Sequence, residues 1–341
     1  MNKHNKKVLL IGGTGAIGGY TLSELYRLGY SLDVITLDKA ENSDRVTYHN
    51  FSASPDNVGK FLEGRFYDAI IDFMYYTHHS YLPVLAMLTA HTEQLVFVSS
   101  YRIYADKCHP VREDSTRLTD IFTEDELLAT NQSYPLQKSL VENIITASKY
   151  KNKVTIVRPV ISFYHGRLSY ITLKAPNIVL RSGVKPLLVP DAARDVIAGF
   201  TFSGNVGKEI AHLIGKEAAL GEDFILGSPE RVSWGELAPA FCEGLGSEFV
   251  WLDTDEFLKY TTPDDIGEYY GLVNDRLINR DVDVSKVMRV TGLCASDFKP
   301  AYQAIVDEAK IISRDRSRYT VGARMDIESN QDLYFERIGK K

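Results

Sequence analysis

The sequence has 341 residues, of which 44% are hydrophobic and 25% charged, as expected for a globular protein with a sizeable core. Its 39 basic and 45 acidic residues give a net charge of −6, which argues against bulk electrostatic binding of nucleic acid. No segment approaches the roughly 18 apolar residues of a membrane span, and the first residues contain no apolar signal core. Cys108, Cys242 and Cys294 are far apart and form no metal-ligand pattern, which fits a reducing compartment. We therefore expect a cytoplasmic protein with no metal site, whose partner is neither a membrane nor a nucleic acid.

The most informative segment is residues 8–18, where a short apolar strand runs into a glycine-rich loop. Apolar residues then recur at helical spacing as far as residue 28. Gly12, Gly15 and Gly18 stand where such a loop needs a sharp turn, close approach of a pyrophosphate, and tight packing of the following helix. The helix would direct its unpaired N–H groups and its dipole toward the phosphates. The predicted cofactor-binding residues of the loop are Gly12, Thr14, Gly15, Ala16, Ile17 and Gly18.

The second predicted strand, residues 32–37, is followed by Asp38, which lies 20 residues after Gly18. In a dinucleotide-binding unit an acidic residue at this position binds the ribose hydroxyls of the adenosine. Because a carboxylate repels a 2′-phosphate, Asp38 favours NAD over NADP, although Lys39 and Arg45 lie nearby. For Asp38 alone, an ordinary turn aspartate is the alternative.

Strands and helices continue to alternate after this unit. Strands are predicted at 46–49, 67–73, 94–98 and 153–157, and helices at 80–90 and 133–149. The alternation predicts an α/β fold, a Rossmann-type doubly wound parallel sheet with right-handed crossovers. Ligands bind at the carboxyl ends of the strands in such sheets, so the glycine loop, Asp38, Phe73 and Ser100 are expected along one edge.

The alternation weakens after residue 160, where helices are expected near 206–214 and 234–245. We divide the chain into an NAD-binding domain (1–160), a smaller, irregular α/β substrate-binding region (161–312) and a charged C-terminal tail (313–341). No shift in composition marks the first boundary, so these two parts are expected to interleave around the sheet. The tail has few aliphatic residues and is expected to be peripheral.

Tyr134 and Lys138 lie four residues apart on a predicted helix, and hence on one face of it. A free phenol has a pKa near 10, about three units too high for a base at neutral pH. Lowering it that far needs about 4 kcal/mol of preferential stabilisation of the phenolate. A neighbouring ammonium and an oxidised nicotinamide ring could supply it, whereas a surface tyrosine with a solvated lysine is the alternative.

These motifs, taken in order, resemble the short-chain dehydrogenase/reductase superfamily, in its extended branch of NAD-dependent nucleotide-sugar epimerases, dehydratases and reductases. The resemblance covers residues 7–290. It is carried by the glycine loop, Asp38, the Val-Phe-Val-Ser-Ser-Tyr-Arg-Ile-Tyr segment (96–104), the Tyr134/Lys138 pair and Val-Thr-Ile-Val-Arg-Pro (154–159). Segments 221–228 and 283–286 match later family elements more weakly.

The resemblance implies a role for each matching residue. Tyr134 would be the acid or base at a sugar hydroxyl, and Lys138 would hold the nicotinamide ribose and lower the pKa of Tyr134. Ser100 would bind the reacting oxygen and the phenol. The resemblance also implies a homodimer through the helix at 133–149. The further cofactor-binding residues that it implies are Asn50, Phe51, Phe73 and Arg158.

Departures from the family pattern concern the substrate. Family dehydratases carry two carboxylates after the threonine that matches Ser100, whereas Tyr101 and Arg102 follow it here, which disfavours dehydration. Arg102 either binds an anionic substrate or is solvated. The predicted cations for a nucleotide diphosphate are Arg181, Arg276 and Arg280, because guanidinium groups suit phosphate oxygens, and surface arginines are the alternative.

The function favoured by this pattern is NAD-dependent epimerisation of a nucleotide-activated sugar, with Tyr134 as the acid–base residue. A second hypothesis is a one-way NAD(P)-dependent reductase or dehydrogenase of a keto-sugar. A third is a catalytically idle relative of the fold that binds RNA or a protein partner.

Overall fold

The computed structural model describes residues 6–261, 266–321 and 325–338. Strands and helices alternate through the first half of the chain, as predicted. The strands are β1 (Lys7–Ile11), β2 (Ser31–Thr36), β3 (Val46–Asn50), β4 (Tyr67–Asp72), β5 (Thr92–Val98), β6 (Val154–Pro159), β7 (Ile161–Phe163), β8 (Leu187–Pro190), β9 (Phe200–Phe202), β10 (Asp223–Leu226) and β11 (Phe249–Leu252).

The helices lie between and after these strands. They are α1 (Gly18–Arg27), α2 (Pro55–Leu62), α3 (His78–Ala90), α4 (Glu124–Ala129), α5 (Ser133–Ala147), α6 (Ala175–Arg181), α7 (Ser203–Leu213), α8 (Trp234–Leu245), α9 (Thr254–Thr261), α10 (Ile266–Gly271), α11 (Ser285–Thr291), α12 (Ala301–Arg314), α13 (Arg316–Tyr319) and α14 (Met325–Arg337). Across the described ranges, none of these helices combines the length and the apolar character needed to cross a membrane.

The main sheet of the described chain has the strand order β10-β6-β5-β4-β1-β2-β3, and each neighbouring pair is parallel. The chain order reverses between β1 and β4, where Ile11 is the register partner of Asp72. This is the doubly wound Rossmann arrangement that the sequence predicts, and its ligand crevice lies at that switch point.

The sheet is buried on both faces, which explains its near-continuous apolar strands. In β1, Val8 and Leu10 join one buried cluster, while Leu9 and Ile11 join the cluster on the opposite face. Successive side chains of a strand alternate between faces, so four consecutive apolar residues serve two helix layers. The strand therefore holds the glycine loop that follows it in a fixed place.

A separate apolar core fills the C-terminal region and fixes one wall of the site. Helix α8 has the predicted bounds, because Ser233 and Glu236 form a capping box at its start and Gly246 (φ 72°) ends it. Its first residue, Trp234, is fully buried in this core. The indole nitrogen of Trp234 donates a hydrogen bond to the carbonyl of Arg276 (3.2 Å), so this core supports a residue predicted to bind substrate.

The expected division of the chain needs two changes. Strand β10 belongs to the main sheet beside β6, so residues far beyond 160 complete the first domain, as the expected interleaving requires. The predicted peripheral tail is also wrong in part, because α14 packs on the C-terminal core. Within α14, Gln331 is fully buried and accepts a hydrogen bond from the Leu188 N–H (3.1 Å), and Phe335 joins the core.

Candidate active site

The glycine loop has the geometry expected of a dinucleotide cradle. Gly12 has a φ of 74°, a region that strongly favours glycine, and its N–H donates to the Ile35 carbonyl (2.9 Å). A Cβ on Gly18 would lie 2.8 Å from backbone atoms of Gly13, so this close approach excludes a side chain. At Gly15 the nearest such atom is 3.7 Å away, which leaves the backbone open to a ligand.

Asp38 lies beside this loop, as predicted for a residue that binds adenosine. The Thr14 hydroxyl donates to its carboxylate (2.6 Å), and the Asn50 amide donates to the carbonyls of Leu37 and Asp38 (2.8 and 3.0 Å). Asn50 thus fastens the ends of β2 and β3 together, while Phe51 packs on a neighbouring aromatic ring. Asp38 itself is exposed and available to a ribose.

A cleft of about 530 Å³ opens at the carboxyl ends of the central strands. It joins the glycine loop to the predicted Ser100/Tyr134/Lys138 group and to three of the four predicted substrate arginines. The predicted site residues that line it are Gly12, Gly15, Ala16, Ile17, Gly18, Phe73, Ser100, Arg102, Tyr134, Lys138, Arg276 and Arg280.

Tyr134 begins α5 and is 38% exposed in the cleft. Burial of the rest of the side chain raises its pKa above the ordinary value for tyrosine, while a hydrogen bond with Ser100 lowers it. Arg102 and Arg167 also lower the pKa of Tyr134 through their charge. Without a cofactor the phenol is therefore neutral at pH 7, ready to donate its proton and placed among cations that favour its loss.

Lys138 lines the cleft but is almost fully buried, with 4% of its surface accessible. Its ammonium donates to the Val98 carbonyl (2.8 Å) and lies 3.5 Å from the Met74 carbonyl. Burial lowers the pKa of Lys138 to about 8, against the opposing charge of Asp72. The carbonyls at the ends of two sheet strands thus orient the ammonium, which remains largely charged at pH 7.

Asp72 is a buried acid below the site that the sequence analysis did not identify. It ends β4, is fully buried, and accepts hydrogen bonds from the Met74 N–H (3.0 Å) and the Tyr76 hydroxyl (3.4 Å). Burial raises its pKa to about 6, while the charge of Lys138 lowers it. Apolar residues surround Asp72 in the sequence, so periodicity alone indicates only a strand end there.

Three arginines of the cleft meet at one carboxylate, that of Asp275. Arg276 donates to it at 2.5 Å, Arg280 contacts it, and the Arg102 Nε lies 3.6 Å from it. Asp275 lies in a π-helical turn (Leu272–Arg276), an irregular geometry often found at functional sites. Burial lowers the pKa of both Arg102 and Arg280, the latter to about 10.

The cleft continues into a second cavity of about 380 Å³. Arg167, Asp275 and Arg276 line both spaces and mark their junction. The further cavity is bounded by apolar residues such as Leu168, Ile171 and Pro176 together with polar ones such as Thr172 and Lys174. The arrangement suits a long ligand with an anionic middle and a flat or apolar end. Arg167 was missed because it lies beyond residue 160, where the alternation of strands and helices weakens, and outside the segments that carry the resemblance.

Arg158, predicted to bind the cofactor, does not line the cleft. Its guanidinium is 5% exposed and forms a two-point pair with Glu142 (3.1 and 2.8 Å) and a further pair with Asp223 (2.6 Å). Its remaining donors contact the Tyr104 oxygen and the Glu113 carbonyl. These bonds occupy the guanidinium, so Arg158 stabilises the contact between α5, β6 and β10, and its role in cofactor binding stays a prediction.

Arg181, predicted to bind a diphosphate, also lies elsewhere. It is 2% exposed within the C-terminal core, donates to the Pro186 carbonyl (3.1 Å) and pairs with Asp332 of α14 (3.1 Å). The partner comes from the segment expected to be a tail. Arg181 thus connects α14 to the C-terminal core and lies outside the lining of the cleft.

No metal centre is indicated in the described ranges, which hold no group of three or more His, Cys, Asp or Glu side chains placed to bind an ion.

Comparisons with known proteins were made for both sequence and structure. Residues 8–163 match the model of the NAD dependent epimerase/dehydratase family. A comparison with curated proteins gave no match.

Solved structures similar to this chain share its fold over nearly its whole length. A putative epimerase from Burkholderia cenocepacia J2315 is 16% identical, with a TM-score of 0.65 over 91% of this chain and 99% of that one. An epimerase from Methanothermobacter thermautotrophicus is 15% identical, with a TM-score of 0.67 over 94% and 96%. A UDP-glucose 4-epimerase from Stenotrophomonas maltophila, solved with bound NAD and formylated UDP-arabinopyranose, is 14% identical, with a TM-score of 0.64 over 92% and 99%.

The glycine loop, β1 to β7 and the Ser100/Tyr134/Lys138 group all fall within the matched residues. Over residues 8–163 the chain therefore matches the NAD dependent epimerase/dehydratase family, and the solved structures named above share its fold.

Proposed function

We propose that this protein binds NAD and epimerises a nucleotide-activated sugar through a transient keto-sugar. The observation that carries the proposal is the single cleft that contains both the glycine loop and the group Ser100, Tyr134 and Lys138. Oxidation and re-reduction at one carbon need a hydride carrier and an acid–base group on the same side of one substrate. This cleft can hold both.

The loop residues fit a dinucleotide. Gly12, Gly15 and Gly18 give a cradle that side chains would fill or distort, and α1 begins directly behind it. Asp38 would bind the ribose of the adenosine and repel a 2′-phosphate, which favours NAD over NADP. When bound, NAD would supply a hydride acceptor and donor.

The chain's own residues would handle the proton. The Tyr134 oxygen would take the proton of the reacting hydroxyl and later return it to the keto oxygen. Ser100 would hold that oxygen and the phenol together. Lys138, oriented by strand-end carbonyls, would bind the nicotinamide ribose and keep a positive charge near the phenol.

The second cavity supports a nucleotide-linked substrate. Arg167 and Arg276 at the junction would bind a diphosphate, with the base beyond them and the sugar toward Tyr134. The Stenotrophomonas structure has NAD and a UDP-sugar bound in the same fold, which supports both ligand classes.

We also retain the homodimer through the α5 region as a proposal. Light scattering at micromolar concentration is the direct test of it. A mass of two chains would support it, and a mass of one chain would contradict it.

The proposed mechanism is tested with Tyr134→Phe. The variant keeps the ring and removes the oxygen that moves the proton, so epimerisation of nucleotide sugars should fall by about 10²–10⁴-fold. Tyr75→Phe is the matched control, because Tyr75 stacks on Tyr134 at 5.8 Å but does not line the cleft. Full activity of Tyr134→Phe would contradict the mechanism.

The same assay separates the other hypotheses. Epimerisation leaves the absorbance of reduced nicotinamide unchanged at the end of the reaction. A stoichiometric change in that absorbance would instead identify a reductase or dehydrogenase. Failure to bind either NAD or NADP would favour the idle relative with a macromolecular partner.

A further inference from the structure

The cleft concentrates positive charge in an acidic protein. Five cations line it, namely Arg102, Lys138, Arg167, Arg276 and Arg280, against the single carboxylate of Asp275. The chain as a whole has a net charge of −6. The local excess is therefore a property of the site, and it predicts a strongly anionic ligand.

Several donors in this cluster have no acceptor among the residues that the structure describes. Asp275 is shared by Arg102, Arg276 and Arg280. Within the described residues, the Arg102 Nε and both the Nε and Nη1 of Arg280 are buried without a hydrogen-bond partner. Arg280 is 2% exposed, so its unused donors are costly unless a ligand fills them.

The cations occupy two distinct positions. Arg167 and Arg276 stand at the junction with the second cavity, where the proposed function places the diphosphate. Arg102 also contacts Asp275 at the junction (3.6 Å), and its guanidinium lies 6.0 Å from the centre of the Tyr134 ring. The main-chain N–H of Arg102 donates to the Ser100 hydroxyl (3.2 Å), which holds the Arg102 backbone beside the reacting group. A diphosphate bound by Arg167 and Arg276 would leave the unpaired donors of Arg102 and Arg280 for a second group.

We propose that the substrate carries a second anionic group, a carboxylate on the sugar itself, and that Arg102 with Arg280 behind it binds this group next to the reacting carbon. The inference rests on the proposed function and narrows its substrate to a nucleotide-linked uronic acid. Arg102 is held only by long contacts, 3.4 Å to Gln132 and 3.6 Å to Asp275. Its fork can therefore turn to meet a carboxylate at two points.

The recognition also implies selectivity against neutral sugars. A sugar with a hydroxymethyl group in place of the carboxylate would leave the guanidinium donors unpaired in a buried site. Charge-assisted hydrogen bonds of this kind correspond to about 10- to 100-fold in kcat/KM.

The test compares two matched substrate pairs, UDP-glucuronate with UDP-glucose and GDP-mannuronate with GDP-mannose. Within each pair only the carboxylate differs from a hydroxymethyl group. Binding to the NAD-loaded protein is measured by calorimetry, and turnover by NMR. We expect at least a 10-fold preference for an acidic sugar, lost in Arg102→Gln and partly kept in Arg102→Lys.

Arg276→Met is the matched comparison, because it should weaken the acidic and the neutral sugar of a pair by the same factor. Unchanged NAD affinity and melting temperature in Arg102→Gln show that the variant is folded. If Arg102→Gln does not fold, the inference is tested by the preference of the wild-type protein for the acidic sugars and by the preference of Arg102→Lys.

Equal use of the two members of a pair, or a preference unaffected by Arg102, would overturn the inference and leave the proposed function intact. Absence of binding by all four sugars would overturn the proposed function and the inference with it.

Discussion

Lys138→Met should make the protein more stable while it removes activity. The Lys138 ammonium is 4% exposed, and burial is the main cause that lowers its pKa from 10.5 to about 8. At 1.36 kcal/mol per pKa unit, the folded protein loses about 3 kcal/mol by holding this proton. Methionine fills a similar space without charge but leaves the Val98 carbonyl without its donor, a loss of about 1 kcal/mol. We therefore expect a gain of about 2 kcal/mol in unfolding free energy at pH 7.

The pH dependence of this difference identifies its cause. Below pH 8 the lysine is protonated in both the folded and the unfolded chain, and the full cost is present. Between pH 8 and 10.5 the folded state releases the proton first, so the unfolded state binds more protons and wild-type stability rises relative to the variant. The advantage of Lys138→Met should therefore shrink across this range.

Urea unfolding of wild type and Lys138→Met at pH 7, 8, 9 and 10 measures the difference in their unfolding free energies. Titrating groups that both proteins share contribute equally to both and do not affect this difference. Lys153→Met is the control, because Lys153 also donates to two main-chain carbonyls (3.3 and 3.1 Å) but is only partly buried. Lys153→Met should give no gain in unfolding free energy. A Lys138→Met variant less stable than wild type at pH 7, or a difference independent of pH, would refute the reasoning and indicate a net favourable pair with Asp72.

Three further predictions follow from the same contacts. Gly18→Ala places a Cβ 2.8 Å from the loop backbone. NAD affinity in calorimetry should therefore fall by 10-fold or more, and the unfolding free energy by about 1–3 kcal/mol. Gly19→Ala, whose Cβ would have its nearest atom 4.0 Å away, should change neither quantity. Arg158→Met leaves the buried Glu142 without its close ion pair, with Arg117 4.0 Å away, and should lower the unfolding free energy by about 3–5 kcal/mol. NAD affinity should be unchanged in the folded fraction; weaker NAD binding at unchanged stability would place Arg158 in the cofactor site. Activity should decline as pH rises through about 8, where Lys138 loses its proton. Lys138→Arg should flatten that decline in a profile of kcat/KM against pH. The same decline in both proteins would assign the titration to another group.

The parts of the fold that the sequence predicted are those fixed by local rules. The β1 strand, the glycine loop and α1 follow one another within 21 residues, and each is identifiable from periodicity or from glycine. The capping box at Ser233 likewise defines the start of α8 without any tertiary contact. Because parallel strands end at one edge, even the meeting of the loop with Ser100 could be predicted.

The arginines show why the other parts of the candidate site could not be predicted from the sequence. An arginine that binds a phosphate and one that pairs with a buried carboxylate look the same in the sequence. The partner that the fold brings to the guanidinium determines its role. Arg181 pairs with Asp332, 151 residues away, in a segment whose charge suggested a solvated tail. Arg280 and Arg102 meet only because the turn before residue 277 brings Asp275 between them.

The central claim, that this chain is an NAD-dependent enzyme whose cofactor and acid–base group share one cleft, is tested most directly by native mass spectrometry of the purified protein titrated with NAD. The account predicts one NAD per chain for wild type and for Tyr134→Phe, with binding at least 10-fold weaker in Gly18→Ala and unchanged in Gly19→Ala. No bound dinucleotide at saturating NAD or NADP, or equal binding by both glycine variants, would contradict it.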